Sequence, residues 1–351
     1  MRWRGRLRAS RDRMTGYEWA PVRPGEVADW NRRLLSTEAP LYQFPFWLQP
    51  LTRPLVRPRF FCCRSQGGAL VAYAALLTIG FAGFRIGVLN GGPVSLLPGE
   101  PLPDEALRSL WRRLLRSGYV CVRVANATES TCEAVRRTCS SEERDPFPWY
   151  PSTDHMLVVD WRESGEEILA GFGKHARQEI KKAAALGYVI EATDSPEAIR
   201  TVWPLIEAME ARKGRRIYRR RRESYECLMA LARPYGRATV YQVRADGRLV
   251  QAILVVRDRT TAHYVIGALD VDALDGAVSP ACLVHWTAMQ DAFRDGVRNY
   301  SLGNDNQGGL QVFKHKFQPR RLQYPPVRTA VMNRALYRMW TLLLSRTGQG
   351  R

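Results

Sequence analysis

A short stretch near the carboxyl end of the chain sets cationic side chains among aromatic ones. The stretch GGLQVFKHKFQP, residues 308–319, holds Lys314 and Lys316 between two phenylalanines. Of the 53 lysines and arginines only six are lysine, so two lysines within three positions stand out. A fixed ammonium group stabilises negative charge that develops in a reaction and binds phosphate oxygens. Lys314 and Lys316 are therefore candidates for such chemistry.

The same residues also fit an ordinary amphipathic strand. In that interpretation VFKHKF is a strand whose successive side chains alternate between two faces, one apolar and the other exposed to solvent. One face would carry Val312, Lys314 and Lys316, and the other Phe313, His315 and Phe317. The glycine-rich approach GNDNQGG favours a functional loop over a plain strand. The residues alone do not choose between Lys314 and Lys316.

A general base is harder to identify from the sequence. Asp305 is the carboxylate nearest to the lysine motif and could take a proton from an incoming amine. A loop aspartate that fixes a turn is the alternative. His175 and His315 are further candidates on residue type alone, and a structural or exposed position suits each of them as well.

A second cationic pattern lies in GKHARQEIKKA. Lys174, Arg177, Lys181 and Lys182 follow one another at helical spacing and fall on one face of a predicted helix. We call these four residues the basic stripe. Such a stripe binds a pyrophosphate or an RNA backbone; the alternative is a solvated helix face. We predict that Lys174, Arg177 and Lys181 bind phosphate on the acceptor.

The segment ARKGRRIYRRRRESY is the densest cationic run of the chain. Like charges at this density repel one another unless a polyanion neutralises them. We predict that Arg215, Arg216 and Arg219 contact RNA, the alternative being an exposed loop.

Composition sets the limits for these motifs. The 351 residues are 45% hydrophobic, enough for one or two folded domains, and carry a formal net charge of +19, which favours anionic partners. An arginine-rich coding habit would also raise this charge. The seven cysteines form no CxxC pair, so neither a disulfide framework nor a metal site is predicted. Without an apolar run of about 18 residues, we expect no membrane span and a cytoplasmic location.

The elements that must position these motifs occur twice in the same order. Each half reads as helices, a long antiparallel hairpin, a third strand, a helix and a final strand, which an α+β sheet with helices on its faces satisfies. We predict a basic extension at 1–20, domains at 21–155 and 156–330, and a carboxyl-terminal helix or tail at 331–351.

Three motifs give the chain a resemblance to a known family. They are LAGFGKHARQEIKKAAALGYVIE, SPACLVHWTAMQDAFRDGVRNYSLG and the Gly-Leu-x-x-Phe-Lys of residues 309–314. Together they resemble the tandem-GNAT proteins of the FemABX family and their FemAB/BioF2-like relatives, over roughly residues 25–330. The resemblance implies two GNAT-like domains, each a mostly antiparallel mixed sheet flanked by helices, and aminoacyl transfer from charged tRNA to an amine.

The resemblance also implies roles for individual residues. Lys314 matches the lysine of the family's Phe-Lys pair and is therefore expected to be the catalytic residue, and Phe313 would stack on the terminal adenine of the tRNA. We also predict that Lys316 contacts the donor. Relatives often carry an acid where YSLG has Ser301, so that role does not carry over. LYQFPFWLQPL resembles the segment that lines the acceptor groove, with Tyr42, Gln43 and Trp47 as its contacts.

The sequence leaves more than one identity open for the donor and for the acceptor. RSQGGA, residues 64–69, has the spacing of a coenzyme A loop but lies between two strands, and the second half has acidic residues before its helix. We therefore expect no cofactor, aminoacyl-tRNA as donor, and a peptide, an amino-sugar-peptide or a small-molecule amine as acceptor, with the protein a monomer. An acyl-CoA-dependent N-acyltransferase and an inactive nucleic-acid-binding protein remain alternatives.

Overall fold

A computed structural model describes residues 16–81, 83–143, 145, 154–214, 220–305 and 309–346. The strands in this part of the chain are β1 (Tyr17–Pro21), β2 (Val56–Ser65), β3 (Leu70–Phe81), β4 (Phe84–Asn90), β5 (Val94–Ser95), β6 (Tyr119–Ala125), β7 (Ser141–Glu142), β8 (His155–Asp160), β9 (Val189–Thr193), β10 (Ala238–Ala245), β11 (Arg248–Arg257), β12 (Thr261–Leu269), β13 (Asn299–Gly303), β14 (Arg320–Gln323) and β15 (Arg328–Val331). The helices are α1 (Val27–Leu35), α2 (Pro45–Leu48), α3 (Asp104–Arg116), α4 (Glu129–Thr138), α5 (Gly165–Gly171), α6 (Lys174–Ala185), α7 (Glu197–Arg212), α8 (Arg222–Ala232), α9 (Ala281–Arg294), α10 (Gly309–His315) and α11 (Arg334–Arg346). None of the described helices is long and apolar enough to cross a membrane.

The chain divides into two compact units whose boundaries differ from the predicted domains. The first unit comprises 1–24, 59–150 and 327–351, and the second comprises 25–58 and 151–326. Residues 25–58 join the second unit because α2 packs on α8 and the Leu41 amide donates to the Asp258 carboxylate. The carboxyl-terminal segment joins the first unit because β15 pairs with β6. Neither long-range contact leaves a local sequence signal.

The first unit is built on an eight-stranded sheet. Its strand order is β1-β2-β3-β4-β6-β15-β7, and β5 pairs with β3. The hairpin of β2 and β3 turns at residues 66–69, so RSQGGA lies between strands. One face is covered by α3, whose apolar residues recur at helical spacing, among them Leu107, Leu110 and Leu114. Residues 17–20 of the predicted extension belong to β1, and 1–15 lie outside the described residues.

The second unit is built on a seven-stranded sheet. Its order is β14-β8-β13-β12-β11-β10-β9, with β12 and β13 parallel and the other neighbours antiparallel. The connection between β12 and β13 runs through α9, as a parallel pair requires a crossover. Both units thus have a mostly antiparallel sheet with flanking helices, and the predicted α+β class is confirmed.

Helices cover both faces of the second sheet. The core formed with α6 and α9 takes Tyr241, Ile253 and Ala262 from the sheet. Alternate residues of a strand face opposite sides, so His263 faces away from this core. The helices α7 and α8 also pack on β10–β12. The 25–58 segment meets this other face, where the Tyr42 ring lies 6.4 Å from the ring of His263.

The VFKHKF stretch is helical, so the strand interpretation of it is wrong. Residues Gly309–His315 form α10. Its burial follows a helical repeat instead of alternation: Lys314 is 3% exposed and Phe317 1% exposed, whereas Val312 is 66% exposed. A seven-residue helix has too few turns for its period to stand out from period two.

Candidate active site

Two parallel strands separate in the middle of the second sheet. β12 and β13 pair only from Thr261 with Asn299 to His263 with Ser301, and β13 then continues against β8. The register shifts between Ser301 and Gly303, and Gly303 has a φ of +76°, a conformation that favours glycine. We call the place where the strands part, beyond the His263–Ser301 pair, the strand fork. Beyond it β12 stays paired with β11 and β13 with β8, but the two strands no longer pair with each other.

Lys314 lies beside the end of β13 at the strand fork. Its Nζ donates to the backbone oxygen of Asn304 at 2.5 Å and lies 3.9 Å from the position that a Cβ on Gly303 would take. Burial lowers the pKa of Lys314 to about 8, against the opposite effect of the Asp305 charge. The ammonium group is thus held where a side chain on β13 is missing, and little water screens it.

A cluster of aromatic rings lies next to Lys314. The rings of Phe313 and Phe317 lie 5.4 and 5.8 Å from that of His285, which shares a hydrogen bond with the Tyr300 hydroxyl at 2.9 Å. Burial and the Lys314 charge lower the pKa of His285 to about 3. This histidine is therefore neutral at physiological pH and does not add a second positive charge beside Lys314. Phe313 is half-buried, so the predicted stacking on adenine is limited to its outer part.

Asp305 is engaged in ion pairs. Its carboxylate accepts from His315 at 3.2 Å and from Arg321 at 2.5 Å. Although burial raises the pKa of Asp305, these hydrogen bonds hold it below the ordinary value. A carboxylate so stabilised is a weak proton acceptor. The geometry gives Asp305 the task of fixing the loop next to Lys314, and its predicted role as a base stays a prediction.

Lys316 is turned towards α6. Its Nζ contacts the Glu179 carboxylate at 2.5 Å, and the other oxygen of that carboxylate accepts from the Cys282 thiol at 3.1 Å. The Gly173 amide also donates to the Lys316 backbone oxygen. These contacts join α6, α9 and the end of α10. The structure therefore separates the two lysines of the motif, Lys314 at the strand fork and Lys316 in an ion pair.

The basic stripe lies on an exposed face of α6. Its four residues are all exposed, whereas Ala176, Ile180 and Ala183 are buried on the other face. Within the described residues none of the four forms an ion pair, so their charges are available to an anion. Arg215, Arg216 and Arg219 lie outside the described residues.

The predicted acceptor contacts lie on the second unit, although the sequence placed them in the first domain. Tyr42 and Trp47 are half-buried with their rings 6.1 Å apart, and the Arg220 guanidinium lies 4.0 Å from the Trp47 ring. Gln43 is completely buried. Tyr42 and Trp47 could line a groove, but the Gln43 side chain is inside the fold.

The sequence analysis missed a buried carboxylate–histidine pair. The Asp258 carboxylate, in a residue 2% exposed, lies 3.0 Å from Nε2 of His263. Burial raises the pKa of Asp258. The contact with His263 and the hydrogen bonds from the amides of residues 260 and 261 lower it by more, so the pKa lies below the ordinary value. The signal was present in RDRTTAHYV as two polar residues in a buried strand and its turn. Among the described residues no group of His, Cys, Asp and Glu could hold a metal ion.

The sequence of the second unit matches a known family. Residues 170–316 match the family described as acetyltransferase (GNAT) domain. The match spans α6, the strand fork and the Lys314 motif. No curated protein matches the chain in sequence. Within the second unit, residues 170–316 therefore match a GNAT-type domain, and the match covers less than half of the chain.

Solved structures show the arrangement of the whole chain. FemX is similar with a TM-score of 0.77 at 13% identity, covering 92% of this chain and 99% of that one. L-PGS from Bacillus licheniformis has a TM-score of 0.56 at 13% identity, with 94% and 98% covered. A tandem GNAT protein from the clavulanic acid biosynthesis pathway has a TM-score of 0.50 at 13% identity, with 90% and 99% covered. The chain has the FemX-like tandem-GNAT fold, and the predicted resemblance is confirmed.

Proposed function

We propose that the protein transfers an aminoacyl group from charged tRNA to an amine of a peptide or nucleotide-linked acceptor. The observation that carries this proposal is the buried ammonium of Lys314 at the strand fork. The resemblance to FemABX proteins supports the choice of donor, as does the similarity in fold to FemX and to L-PGS.

The reaction that this site would catalyse begins with an ester. The acceptor amine attacks the carbonyl carbon of the aminoacyl ester, and the carbonyl oxygen becomes an oxyanion in the tetrahedral intermediate. The bond to the ribose oxygen then breaks, and the tRNA leaves with a free hydroxyl. Lys314 stabilises the negative charge on the oxyanion or at the 3′ end of the RNA, and burial strengthens this interaction.

The exposed cations of the second unit suit an RNA donor. The basic stripe presents Lys174, Arg177, Lys181 and Lys182 on one helix face without ion pairs among the described residues. Cations of this kind bind a nucleic-acid backbone by displacing counterions, whatever its sequence. Because no carboxylate of the described residues forms an ion pair with the stripe, we assign the stripe to phosphate groups of either substrate.

Acyl transfer from coenzyme A is the second candidate, because the matched family is described as an acetyltransferase. The segment before α9 weakens this candidate. It carries Asp270, Asp272 and Asp275, which would repel a pyrophosphate. Two of them pair with arginines, Asp270 with Arg248 at 2.8 Å and Asp272 with Arg212 at 3.4 Å, so those arginines are already engaged.

The test offers both donors to the full-length protein. Bulk tRNA charged with radiolabelled amino acids and, separately, acetyl-CoA are mixed with Nα-acetyl-lysine amide as the amine probe. The proposal expects labelled product that RNase treatment of the donor abolishes. Transfer from acetyl-CoA that is insensitive to RNase would favour the second candidate. RNA binding without transfer from either donor would favour an inactive binding protein.

A further inference from the structure

The turn before β12 is organised around one buried carboxylate. One oxygen of Asp258 accepts from the amides of Thr260 and Thr261, each at 2.8 Å. The other oxygen accepts from the Leu41 amide at 3.1 Å and contacts Nε2 of His263 at 3.0 Å. This is more than the turn itself requires, because the second oxygen serves only the 25–58 segment and the histidine.

The contact fixes the orientation of the His263 ring. Asp258 accepts, so Nε2 carries the proton and Nδ1 carries a lone pair. Nδ1 makes no hydrogen bond with another residue in the described part of the chain. The side chain is 11% exposed, so the ring is held in place by a carboxylate and still reaches the surface.

His263 stands at the strand fork. It forms the last parallel pair with Ser301, and Lys314 lies by Gly303, two residues further along β13. Two residues of a strand span about 7 Å. His263, facing the 25–58 segment, and the Lys314 ammonium therefore lie by positions of the strand fork that are two residues apart along β13. Tyr42 touches the ring of His263 from the 25–58 segment, at 6.4 Å between centroids, and Trp47 lies next to Tyr42.

We infer that His263, positioned by Asp258, is the general base that takes the proton from the acceptor amine. The inference rests on acyl transfer as the proposed function but not on the choice of donor. The acceptor would enter beside Tyr42, with its amine facing Nδ1 of His263. Lys314 would stabilise the oxyanion from the other strand. One site then holds an oriented base and a buried cation on the two sides of the strand fork.

The proton balance of this step is simple. The amine nitrogen bonds to the carbonyl carbon and gives a proton to Nδ1 of His263, and the bond between that carbon and the leaving oxygen breaks. The leaving oxygen takes up the proton, so the histidine returns to its neutral form. Three other titratable groups lie near the His263–Asp258 pair. Tyr42 is next to the His263 ring, and Tyr324 and Arg237 interact electrostatically with Asp258.

The test measures single-turnover transfer to Nα-acetyl-lysine amide by wild type, His263→Ala and His263→Gln. We expect both variants to be about 10²–10⁴-fold slower with unchanged affinity for charged tRNA. Added imidazole should restore part of the rate of His263→Ala, because it fills the vacated space, but not that of His263→Gln. The glutamine variant also covers a failure of the alanine variant to fold.

The pH profile separates a base from a structural histidine. The wild-type rate should rise with pH as the base loses its proton, and neither His263 variant should show this rising limb. In Asp258→Asn the limb should move to lower pH, because the protonated imidazole loses a neighbouring negative charge. A purely structural role for Asp258 would lower the rate without moving the limb.

The outcomes distinguish this inference from the proposed function. Transfer from tRNA by His263→Ala at the wild-type rate would overturn the inference alone. A slow variant that imidazole does not rescue and whose rising limb persists would also overturn it. If wild type uses only acetyl-CoA, the proposed donor is wrong, and the same variants assayed with acetyl-CoA decide the role of His263. Transfer from neither donor would overturn both.

Discussion

Each sheet contains a pair of parallel strands, and the paired stretch is longer in the first unit than in the second. In the first unit β4 and β6 stay paired from Arg85 with Tyr119 to Asn90 with Ala125. In the second unit β12 and β13 pair over three residues and then separate. A parallel pair that remains closed satisfies its backbone and leaves no room for a ligand. The same order of elements thus gives one closed sheet and one with a strand fork.

Side chains reinforce this difference. In the first unit a Cβ on Gly87 would lie 3.0 Å from Leu76 and 3.1 Å from Val122, so β4 and its neighbours are tightly packed. Arg123 on β6 is completely buried and pairs with Asp145 at 2.9 Å. In the second unit the space beside Gly303 is taken by the Lys314 ammonium. We therefore assign the chemistry to the second unit and a structural role to the centre of the first sheet.

The strongest test of this assignment removes the cation of the strand fork. Lys314→Met keeps the aliphatic stem and should lower the transfer rate about 10²–10³-fold, the usual effect of losing one oxyanion-stabilising group. Lys314→Arg should restore only part of the rate, because its charge is spread over a planar group. Lys316→Met is the matched comparison: it breaks a half-exposed pair with Glu179 and should cost about 0.2–1 kcal/mol of unfolding free energy. Equal rates for Lys314→Met and wild type would contradict the assignment.

Lys314→Met, which should slow the transfer, should also make the fold more stable at neutral pH. The folded-state pKa of Lys314 is about 8 and its ordinary value is 10.5, so below pH 8 the folded protein carries a buried charge at a cost. Lys314→Met should therefore unfold at a higher denaturant concentration than wild type at pH 7. As pH rises from 8 to 10.5 the unfolded wild-type chain binds the extra proton, wild type gains stability, and the difference should shrink. Chemical denaturation at pH 7 and pH 10 checks both.

The next largest effect is expected for the basic stripe. Replacing Lys174, Arg177 and Lys181 by glutamine should weaken binding of charged tRNA about 10–100-fold at moderate salt and reduce the salt slope by about two to three. The control removes Arg108, Arg112 and Arg116 from α3 of the first unit. Two of these already pair with Glu105, so a smaller loss is expected. Equal losses would mean that RNA binds to net charge and not to the stripe.

A smaller effect concerns the upper pH limit of the reaction. Because the pKa of Lys314 is about 8, its charge is lost as pH rises through that value, and the transfer rate at pH 9 should be about tenfold below its maximum. The rate is corrected for spontaneous hydrolysis of the ester. In Lys314→Arg this falling limb should be absent, since arginine keeps its charge. A limb that persists in the arginine variant would point to another group.

The smallest expected effect on rate comes from the first unit. Arg123→Met breaks the pair with Asp145 and should lower the unfolding free energy by about 3 kcal/mol, the lower end of the cost of removing one partner of a buried pair, because Asp145 is partly exposed. The transfer rate per folded molecule should stay at the wild-type level. Asp145→Asn, which keeps an oxygen for Arg123, should cost less. A folded Arg123→Met protein with impaired transfer would show that the first unit takes part in the chemistry.

Local sequence patterns predicted the repeated order of helices and strands but not which of these elements pack against each other. Alternation and helical spacing identify hairpins and helices such as β10–β11 and α9, and these signals depend on neighbouring residues. The assignment of 25–58 to the second unit depends on contacts like that between Leu41 and Asp258, which are 217 positions apart. The residue types therefore indicated the fold class, and only the structure gave the domain boundaries.

The candidate site was predictable where a residue stood out by type. Lys314 did, as one of six lysines among 53 cationic residues. His263 did not, because a histidine in an apolar strand has no pattern of its own and its partner lies in the preceding turn. Gln43 was predicted from the resemblance of its segment to one that lines an acceptor groove, and its burial results from the packing of residues far away in the sequence.

The position of β15 has a consequence for synthesis on the ribosome. β7 pairs only with β15 among the described strands, and β15 pairs on its other edge with β6. The residues that complete the first sheet are therefore translated after those of the whole second unit, whose last residue is 326. Truncated nascent chains ending before residue 328 should hold a finished second unit and an open first sheet. The first unit, which contains the residues translated first, is therefore the last to complete its sheet.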